Sequence, residues 1–178
     1  MRSHYKIHDQ EGVCFLTSTV VEWIAILTSK PYLDILVSSI QYCQANSGLI
    51  VFVYVLFDNH FHMVCNAPEL SKVMQSIKRH TAKTIIQQLE NDQRMWTLDL
   101  LSFYKKRHKT ESEHQLWQEG FHPQQILSDE TLNQKVDYIH FNPVRRGLVS
   151  EPEHWVYSSA GDYILDRRGL IEIQRLSV

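Results

Sequence analysis

The feature that most constrains this sequence is an uninterrupted apolar run at residues 49–57, LIVFVYVLF. Gly48 precedes the run and the turn-forming pair Asp58-Asn59 follows it, so both ends are bounded by residues that interrupt regular structure. The run is too short to cross a bilayer, because a membrane helix needs about 20 apolar residues. Its length is typical of a strand that is buried on both faces. The sequence therefore predicts a central β-strand here and no membrane-spanning segment.

Strand and helix patterns alternate on either side of this run. The predicted elements are strands at 13–20, 49–57, 60–65 and 116–121, and helices that open at Pro31, span 70–89 and start at Ser128. Pro143 and Gly147 are expected to stop the last helix, and the mixed, charged segment 91–114 has no predicted element. The order β-α-β-β-α-β is that of the ferredoxin-like split unit. The predicted fold is therefore α+β, a single domain over residues 1–178 with an antiparallel sheet and helices on one face.

Charge is unevenly distributed along the chain. The net charge is −2, but residues 61–110 hold nine Lys and Arg against four Asp and Glu, while residues 111–137 hold one against six. The basic segment includes Lys78, Arg79, Lys83 and the run KKRHK at 105–109. Such a segment either forms a solvated face or binds phosphates locally, because binding responds to the nearby potential rather than to the total charge.

Cysteine usage and the N-terminal composition indicate the compartment. The chain has three widely spaced cysteines, Cys14, Cys43 and Cys65, and an odd number argues against a disulfide framework. The N-terminal residues are polar and lack the apolar core of a secretory signal. We therefore expect a cytoplasmic protein with no membrane partner.

The densest cluster of functional side chains is Asn59-His60-Phe61-His62. Side chains two residues apart on a strand point to the same face, so His60 and His62 can meet one metal ion while Phe61 packs on the other face. The pattern is short, and a pair of surface or packed histidines is the competing interpretation. Cys65 is a further possible ligand, but no fourth residue has the spacing of a closed zinc site.

Tyr138 and Asn142 strengthen the case for chemistry. They lie four residues apart in the last predicted helix and so share a face. An amide oxygen from Asn142 can complete a site whose other ligands are imidazoles, and this uncharged set leaves the cation's full charge to polarise a phosphate oxygen. Imidazole suits Mn²⁺ better than Mg²⁺. A tyrosine beside such a metal is a candidate nucleophile that attacks a phosphorus atom. Without the histidines, Tyr138 would be interpreted as a core residue of an amphipathic helix.

These motifs together resemble a known family. The pair His60 and His62 after an apolar strand, with VDYIHFNPVRRGLV at 136–149, resembles the single-tyrosine HUH transposases and most closely their REP-associated tyrosine transposase relatives. The likeness continues through LWQEGFHP at 116–123 and EPEHWVYSSAGDY at 151–163. It covers the chain from the first strand to about residue 165.

The resemblance implies a transposase that nicks single-stranded DNA near a hairpin with a divalent metal, Mg²⁺ or Mn²⁺. His60, His62 and Asn142 fall on the metal-ligand positions. Tyr138 falls on the nucleophile position, forming a 5′-phosphotyrosine and releasing a 3′-OH for strand transfer. The implied partner is hairpin-bearing single-stranded DNA, and the chain is a monomer or a homodimer. The basic side chains expected to contact DNA phosphates are Lys78, Arg79, Lys83, Arg145 and Arg146.

Two other functions remain open from the sequence. One is a domesticated protein that binds structured single-stranded DNA without turnover, although it would not require all of His60, His62, Tyr138 and Asn142. The other is a metal-dependent hydrolase of a small phosphoester, for which Tyr138 would be dispensable. Trp117 and Phe121 are similarly ambiguous between base stacking and core packing, and packing is favoured.

Overall fold

The computed structural model describes residues 12–110 and 112–177. Two short 3₁₀ turns, Val21–Trp23 and Pro152–His154, accompany four strands and five helices in these ranges. The strands and helices in chain order are β1 Cys14–Thr19, α1 Lys30–Ser47, β2 Ile50–Leu56, β3 His60–Asn66, α2 Leu70–Asn91, α3 Met95–Phe103, β4 Gln124–Gln125, α4 Asp129–Arg145 and α5 Ala160–Ile164.

The strands form one antiparallel sheet in the order β2-β3-β1-β4. The α+β fold class predicted from the sequence is confirmed. The segment 49–57 was expected to be central, and here the prediction is wrong, because β2 lies at the edge of the sheet. It is nevertheless buried, since the chain after α4 covers its free side: Tyr157 O accepts from Leu56 N at 2.8 Å, and Val51 O accepts from Gln174 N at 2.9 Å.

The first hydrophobic cluster lies on the side of the sheet that carries α1 and α2. Leu36 of α1 and Ile77 of α2 share this cluster with Phe61 and Met63 of β3. Pro31 stands in the first turn of α1, and Gly48 ends the helix with a φ of +65°, a left-handed conformation that glycine adopts without steric cost. The boundaries predicted for this helix from its proline and glycine are confirmed.

The second hydrophobic cluster lies on the opposite side of the sheet. Val136 and Ile139 of α4 pack there with Val55 of β2 and Val64 of β3. The expectation that the helices lie on one face is therefore wrong in this respect. Val55 and Val64 are apolar side chains on this second face, so it also requires a cover, and α4 supplies it.

Helix α4 begins where the sequence predicts but does not end at its proline. Ser128 caps its N-terminus by accepting a hydrogen bond from Thr131 N at 3.2 Å, as its position before two acidic residues predicts. Pro143 was expected to stop the helix, but α4 continues through it to Arg145. A proline lacks the N–H that bonds the carbonyl four positions earlier and its ring crowds that carbonyl, and α4 ends two residues after it. The chain leaves the helix at Gly147, whose φ is +69°.

The segment 116–121 is not a strand. It makes a single bridge, between Trp117 and Val20, and the fourth strand is Gln124–Gln125. Trp117 is buried in the core, where its indole N–H donates to Thr81 Oγ1 at 2.9 Å and its ring meets Phe61 edge-on. Packing, rather than base stacking, therefore explains this tryptophan. The unassigned segment 91–114 contains α3.

The structure also shows the state of the three cysteines and the character of the helices. Cys14, Cys43 and Cys65 are all free thiols. Within residues 12–110 and 112–177, no helix has both the length and the apolar character that a membrane span requires.

A buried polar link fixes α4 to the sheet. Ser159 is fully buried, and its hydroxyl accepts from Tyr54 N of β2 at 3.0 Å. The same hydroxyl lies 2.9 Å from Nε2 of His140 on α4. His140 is 4% exposed, and burial lowers its pKa to about 3, so the imidazole is neutral at physiological pH. His140 therefore has a structural environment away from Tyr138, in line with its position on another side of the helix.

Replacing Ser159 by Ala should destabilise the fold, because it leaves Tyr54 N and the His140 ring without this partner in a dry interior. We expect the free energy of unfolding to fall by about 1–3 kcal/mol, measured by urea denaturation. Ser38→Ala on the exposed side of α1 is the matched control and should change it by less than about 0.5 kcal/mol. Equal stability of the two variants would contradict the structural role of Ser159.

Candidate metal and nucleophile site

The structure brings together side chains that are far apart in the sequence. His60 and His62 of β3 point toward the face covered by α4, with their ring centroids 4.8 Å apart. Tyr138 of α4 places its hydroxyl 3.4 Å from His62 Nε2. Asn142 lies one helical turn further along α4 and is 9% exposed. His60, His62 and Tyr138 are thus close to one another. The fourth predicted residue, Asn142, lies on the same helix as Tyr138.

Hydrogen bonds to Nδ1 orient both imidazoles. Nδ1 of His60 lies 2.6 Å from Oδ1 of Asn59. Nδ1 of His62 lies 2.7 Å from Oγ1 of Thr17, which is paired with His62 across the β1–β3 ladder. An amide oxygen only accepts, so the proton of neutral His60 resides on Nδ1 and Nε2 carries a free lone pair. In a metal-ligating histidine, the hydrogen bond made by the ring nitrogen that does not bind the metal fixes the tautomer.

Electrostatics keep both rings neutral. Burial, followed by the Arg146 guanidinium, lowers the pKa of His60 to about 4, against an opposing effect of the Asp58 carboxylate. Burial, followed by the charges of His60, Lys135 and Arg146, lowers the pKa of His62 to about 3. Neutral imidazole is the form that binds a metal ion, so neither ring needs to lose a proton at physiological pH.

The donor set fits a divalent cation only if an amide takes part. Among residues 12–110 and 112–177, no three His, Cys, Asp or Glu side chains come together in a way that could hold a metal ion. Nε2 of neutral His60 is one donor, and Nε2 of His62, which lies 3.4 Å from the Tyr138 hydroxyl, is a second candidate. The Asn142 side chain supplies a candidate oxygen from the facing helix. Two imidazoles with an amide oxygen match the nitrogen and oxygen preferences of Mn²⁺ better than the all-oxygen preference of Mg²⁺.

Aromatic rings and two cations surround the site. Phe15 stacks on His62 at 5.6 Å, and Phe57 stacks on His60 at 4.8 Å. Each phenyl ring also makes a cation–π contact. Lys135 Nζ is 4.2 Å from the Phe15 ring centroid, and the Arg146 guanidinium carbon is 4.6 Å from the Phe57 ring centroid. These stacked contacts hold two positive charges close to the histidines, where a phosphate could be attracted.

The five predicted DNA contacts lie in two different places. Arg146 adjoins the histidines and pairs with Asp58 at 3.3 Å, whereas Arg145 is exposed to solvent. Lys78, Arg79 and Lys83 lie on α2, across the sheet from the histidines.

The three α2 residues line a cleft of about 940 Å³ between that helix and the segment that ends at Phe121. Within this cleft, the Lys78 ammonium donates to the carbonyl oxygen of Gln118 at 2.7 Å and is half-buried. Lys78 therefore already holds the 118–120 loop against α2. Arg79 and Lys83 are exposed, and their contact with DNA stays a prediction.

Sequence reasoning assigned no role to three residues of this site. Lys135 precedes Tyr138 by three positions, so helical spacing alone would have placed it on the same face. Asn59 belongs to the histidine motif but was treated only as a turn residue. Thr17 carries no local signal, because its contact with His62 depends on the register between β1 and β3.

The similarity of this chain to known proteins lies among the tyrosine transposases. No family model matches the chain. A curated relative from Haemophilus influenzae, described as "Putative REP-associated tyrosine transposase", is 29% identical over 119 residues. That match covers 67% of this chain and 62% of the relative, so the chain spans less than two thirds of its length.

A solved structure supports the same resemblance at the level of the fold. It shows a REP-associated tyrosine transposase bound to a REP hairpin and matches with a TM-score of 0.65 over 100% of this chain and 94% of that chain. The sequence identity is 17%, so this likeness shows the fold alone. The curated relative confirms the resemblance to REP-associated tyrosine transposases stated above from the motifs, and the solved structure confirms the α+β fold.

Replacing Arg146 by Gln removes a positive charge that lowers the pKa of both histidines. We expect the pKa of His60 to rise above its value of about 4, measured by NMR titration of the ring resonances in EDTA. Arg145→Gln is the matched control and should leave both histidines unchanged, because Arg145 is not among the charges that shift them. Equal shifts in the two variants would contradict the placement of Arg146.

Proposed function

We propose that this protein is a metal-dependent transposase of the REP-associated tyrosine type, which binds hairpin-bearing DNA and cleaves an adjacent single strand. Tyr138 is the nucleophile, and His60, His62 and Asn142 are the metal ligands. The observation that carries the proposal is the approach of the Tyr138 hydroxyl to within 3.4 Å of His62 Nε2, where both imidazoles are neutral and oriented. A core tyrosine would be buried, whereas Tyr138 is 38% exposed.

The reaction exchanges one phosphoester bond for another. The Tyr138 oxygen attacks phosphorus and forms a 5′-phosphotyrosine, while the bond from phosphorus to the 3′ oxygen breaks. The phenolic proton passes to solvent, to which the Tyr138 side chain is partly exposed, and the leaving oxygen takes a proton from water to become a 3′-OH. Because the ester bond is conserved, attack by another 3′-OH reverses the step and joins a new strand.

The site residues divide the remaining work. A free phenol has a pKa of about 10 and is a weak nucleophile at neutral pH, so its phosphate target must be polarised. The bound cation, Mg²⁺ or Mn²⁺, would supply that polarisation at a phosphate oxygen. Lys135 and Arg146, whose charges both act on His62, attract the phosphodiester to the site. The uncharged His60, His62 and Asn142 leave this positive potential undiminished.

The DNA partner is proposed from the relatives and from the charge distribution. The solved neighbour is bound to a REP hairpin. In this chain, Arg145 and Arg146 would contact the strand near Tyr138. Arg79 and Lys83, with a lesser part for the engaged Lys78, would contact a second portion of the DNA across the sheet. We propose a cytoplasmic protein that acts as a monomer or a homodimer.

Tyr138→Phe should abolish covalent capture of DNA while sparing binding, because it removes only the nucleophilic oxygen. The measurement is a denaturing protein gel after incubation with labelled pools of hairpin DNA carrying single-stranded flanks, in Mn²⁺, Mg²⁺ or EDTA. Tyr42→Phe, an exposed tyrosine on α1, is the matched control and should retain the labelled band.

The same gel, run beside a native mobility-shift assay that measures binding of the same DNA, distinguishes the competing functions. Tight binding with no band in any metal would indicate a non-catalytic DNA-binding protein. Cleavage retained by Tyr138→Phe would eliminate the tyrosine mechanism and favour hydrolysis by water.

Thr17→Val should weaken metal binding, because it deletes the hydroxyl that orients His62 while conserving side-chain volume. Loss of such an orienting contact typically costs about 10- to 100-fold in metal affinity. Mn²⁺ binding, followed by electron paramagnetic resonance at pH 7, gives the measurement. His60→Ala should remove binding altogether, and Thr84→Val on α2 should leave it unchanged. Normal Mn²⁺ binding by His60→Ala would refute the ligand assignment.

A further inference from the structure

Trp23 lies beside the candidate site with much of its indole in solvent. Its side chain is 56% exposed, and its ring meets His60 edge-on at a centroid distance of 5.3 Å and an interplanar angle of 69°. Single exposed apolar residues are common on protein surfaces, so exposure alone carries no argument. What distinguishes Trp23 is how the chain holds it there.

The backbone around Trp23 is strained. Glu22 and Trp23 have φ values of +49° and +57°, a left-handed conformation that residues with bulky side chains rarely adopt. Two such residues in succession persist only where the surrounding structure holds them, and this kind of strain concentrates at functional sites. Here Trp23 N donates to Val20 O at 3.0 Å, and Trp23 O accepts from Asn59 Nδ2 at 3.0 Å.

One amide couples Trp23 to the metal-ligand position. Asn59 donates through Nδ2 to Trp23 O, and its Oδ1 lies 2.6 Å from His60 Nδ1. The Trp23 backbone and the His60 ring are therefore linked through a single side chain, and the indole itself meets the His60 ring edge-on. His60 does not need Trp23 for support, because Phe57 stacks on it at 4.8 Å and Asn59 fixes its tautomer.

The charges near Trp23 indicate which part of a nucleotide it meets. Glu22, its neighbour in the turn, is exposed and acidic, and the Asp58 carboxylate is already paired with Arg146. A phosphate would be repelled at the Glu22 side, whereas an uncharged base would not. An exposed indole offers a flat aromatic face, on which any base can stack irrespective of its sequence.

We propose that Trp23 forms a base-binding position, on which the unpaired base next to the phosphate attacked by Tyr138 stacks. This inference rests on the proposed function, since it requires a single-stranded nucleic acid at the site. Trp23 sets the position of the strand relative to His60, and the phosphate contacts are made by Lys135 and Arg146. Its role is positioning, not catalysis.

The test compares two 12-nucleotide probes with the same phosphates, dT12 and its fully abasic counterpart. Both are labelled and titrated by fluorescence anisotropy in EDTA. Trp23→Ala should weaken dT12 binding by about 5- to 150-fold, the range measured for loss of one stacked base, and leave abasic binding unchanged. Trp23→Phe should recover most of the dT12 affinity. Trp96→Ala, another exposed indole on α3, is the matched control and should behave as the unaltered protein.

Each other outcome has a definite meaning. Equal dT12 affinity in Trp23→Ala and the unaltered protein overturns the stacking inference and leaves the proposed function intact. An equal loss for dT12 and the abasic probe overturns it too, since Trp23 would then act through the phosphate contacts. If the unaltered protein binds neither probe and forms no covalent adduct with hairpin DNA, the single-strand substrate itself is refuted. Thermal denaturation of each variant verifies folding.

Discussion

The candidate site depends on one contact, the packing of α4 against the second face of the sheet. Val136 and Ile139 pack with Val55 and Val64, and this contact brings Tyr138 over His62. The helix is held in place by polar as well as apolar contacts, since its His140 shares the buried Ser159 hydroxyl with β2. A small slide of α4 would separate the phenol from the imidazoles, so the position of Tyr138 over His62 depends on this interface.

The electrostatics of the site follow from the same packing. Burial beneath α4 and the approach of Arg146 keep the imidazoles neutral, and no carboxylate is supplied as a ligand by the described residues. An uncharged donor set binds a cation weakly but leaves its charge available to an anionic substrate. Lys135 and Arg146, stacked on Phe15 and Phe57, add to that positive potential. Under the proposed function, this arrangement would suit a phosphodiester, which would bring its own negative charge to a bound cation.

Predictions from sequence succeeded where local chemistry decides structure. Helix α1 has Pro31 in its first turn and ends at Gly48 as expected, and Ser128 caps α4. Proline, glycine and serine have these effects because each acts on the backbone of its own turn. The predictions failed where distant residues decide. The run 49–57 is an edge strand because β3 pairs with β1 on its other side, and the run is still buried because residues after α4 cover its free edge. Trp117 lies in the core against Thr81 and not in the predicted strand.

The sequence by itself determined the α+β class, the position of the histidine pair on a strand, and the helical spacing of Tyr138 and Asn142. These follow from periodicities of two and about 3.6 residues, which are properties of the local chain. Only the tertiary structure decided that α4 covers the histidine face, that Thr17 opposes His62, and that a strained turn sets Trp23 beside His60. Such contacts join residues far apart in sequence, and their geometry depends on how the strands register and the layers pack.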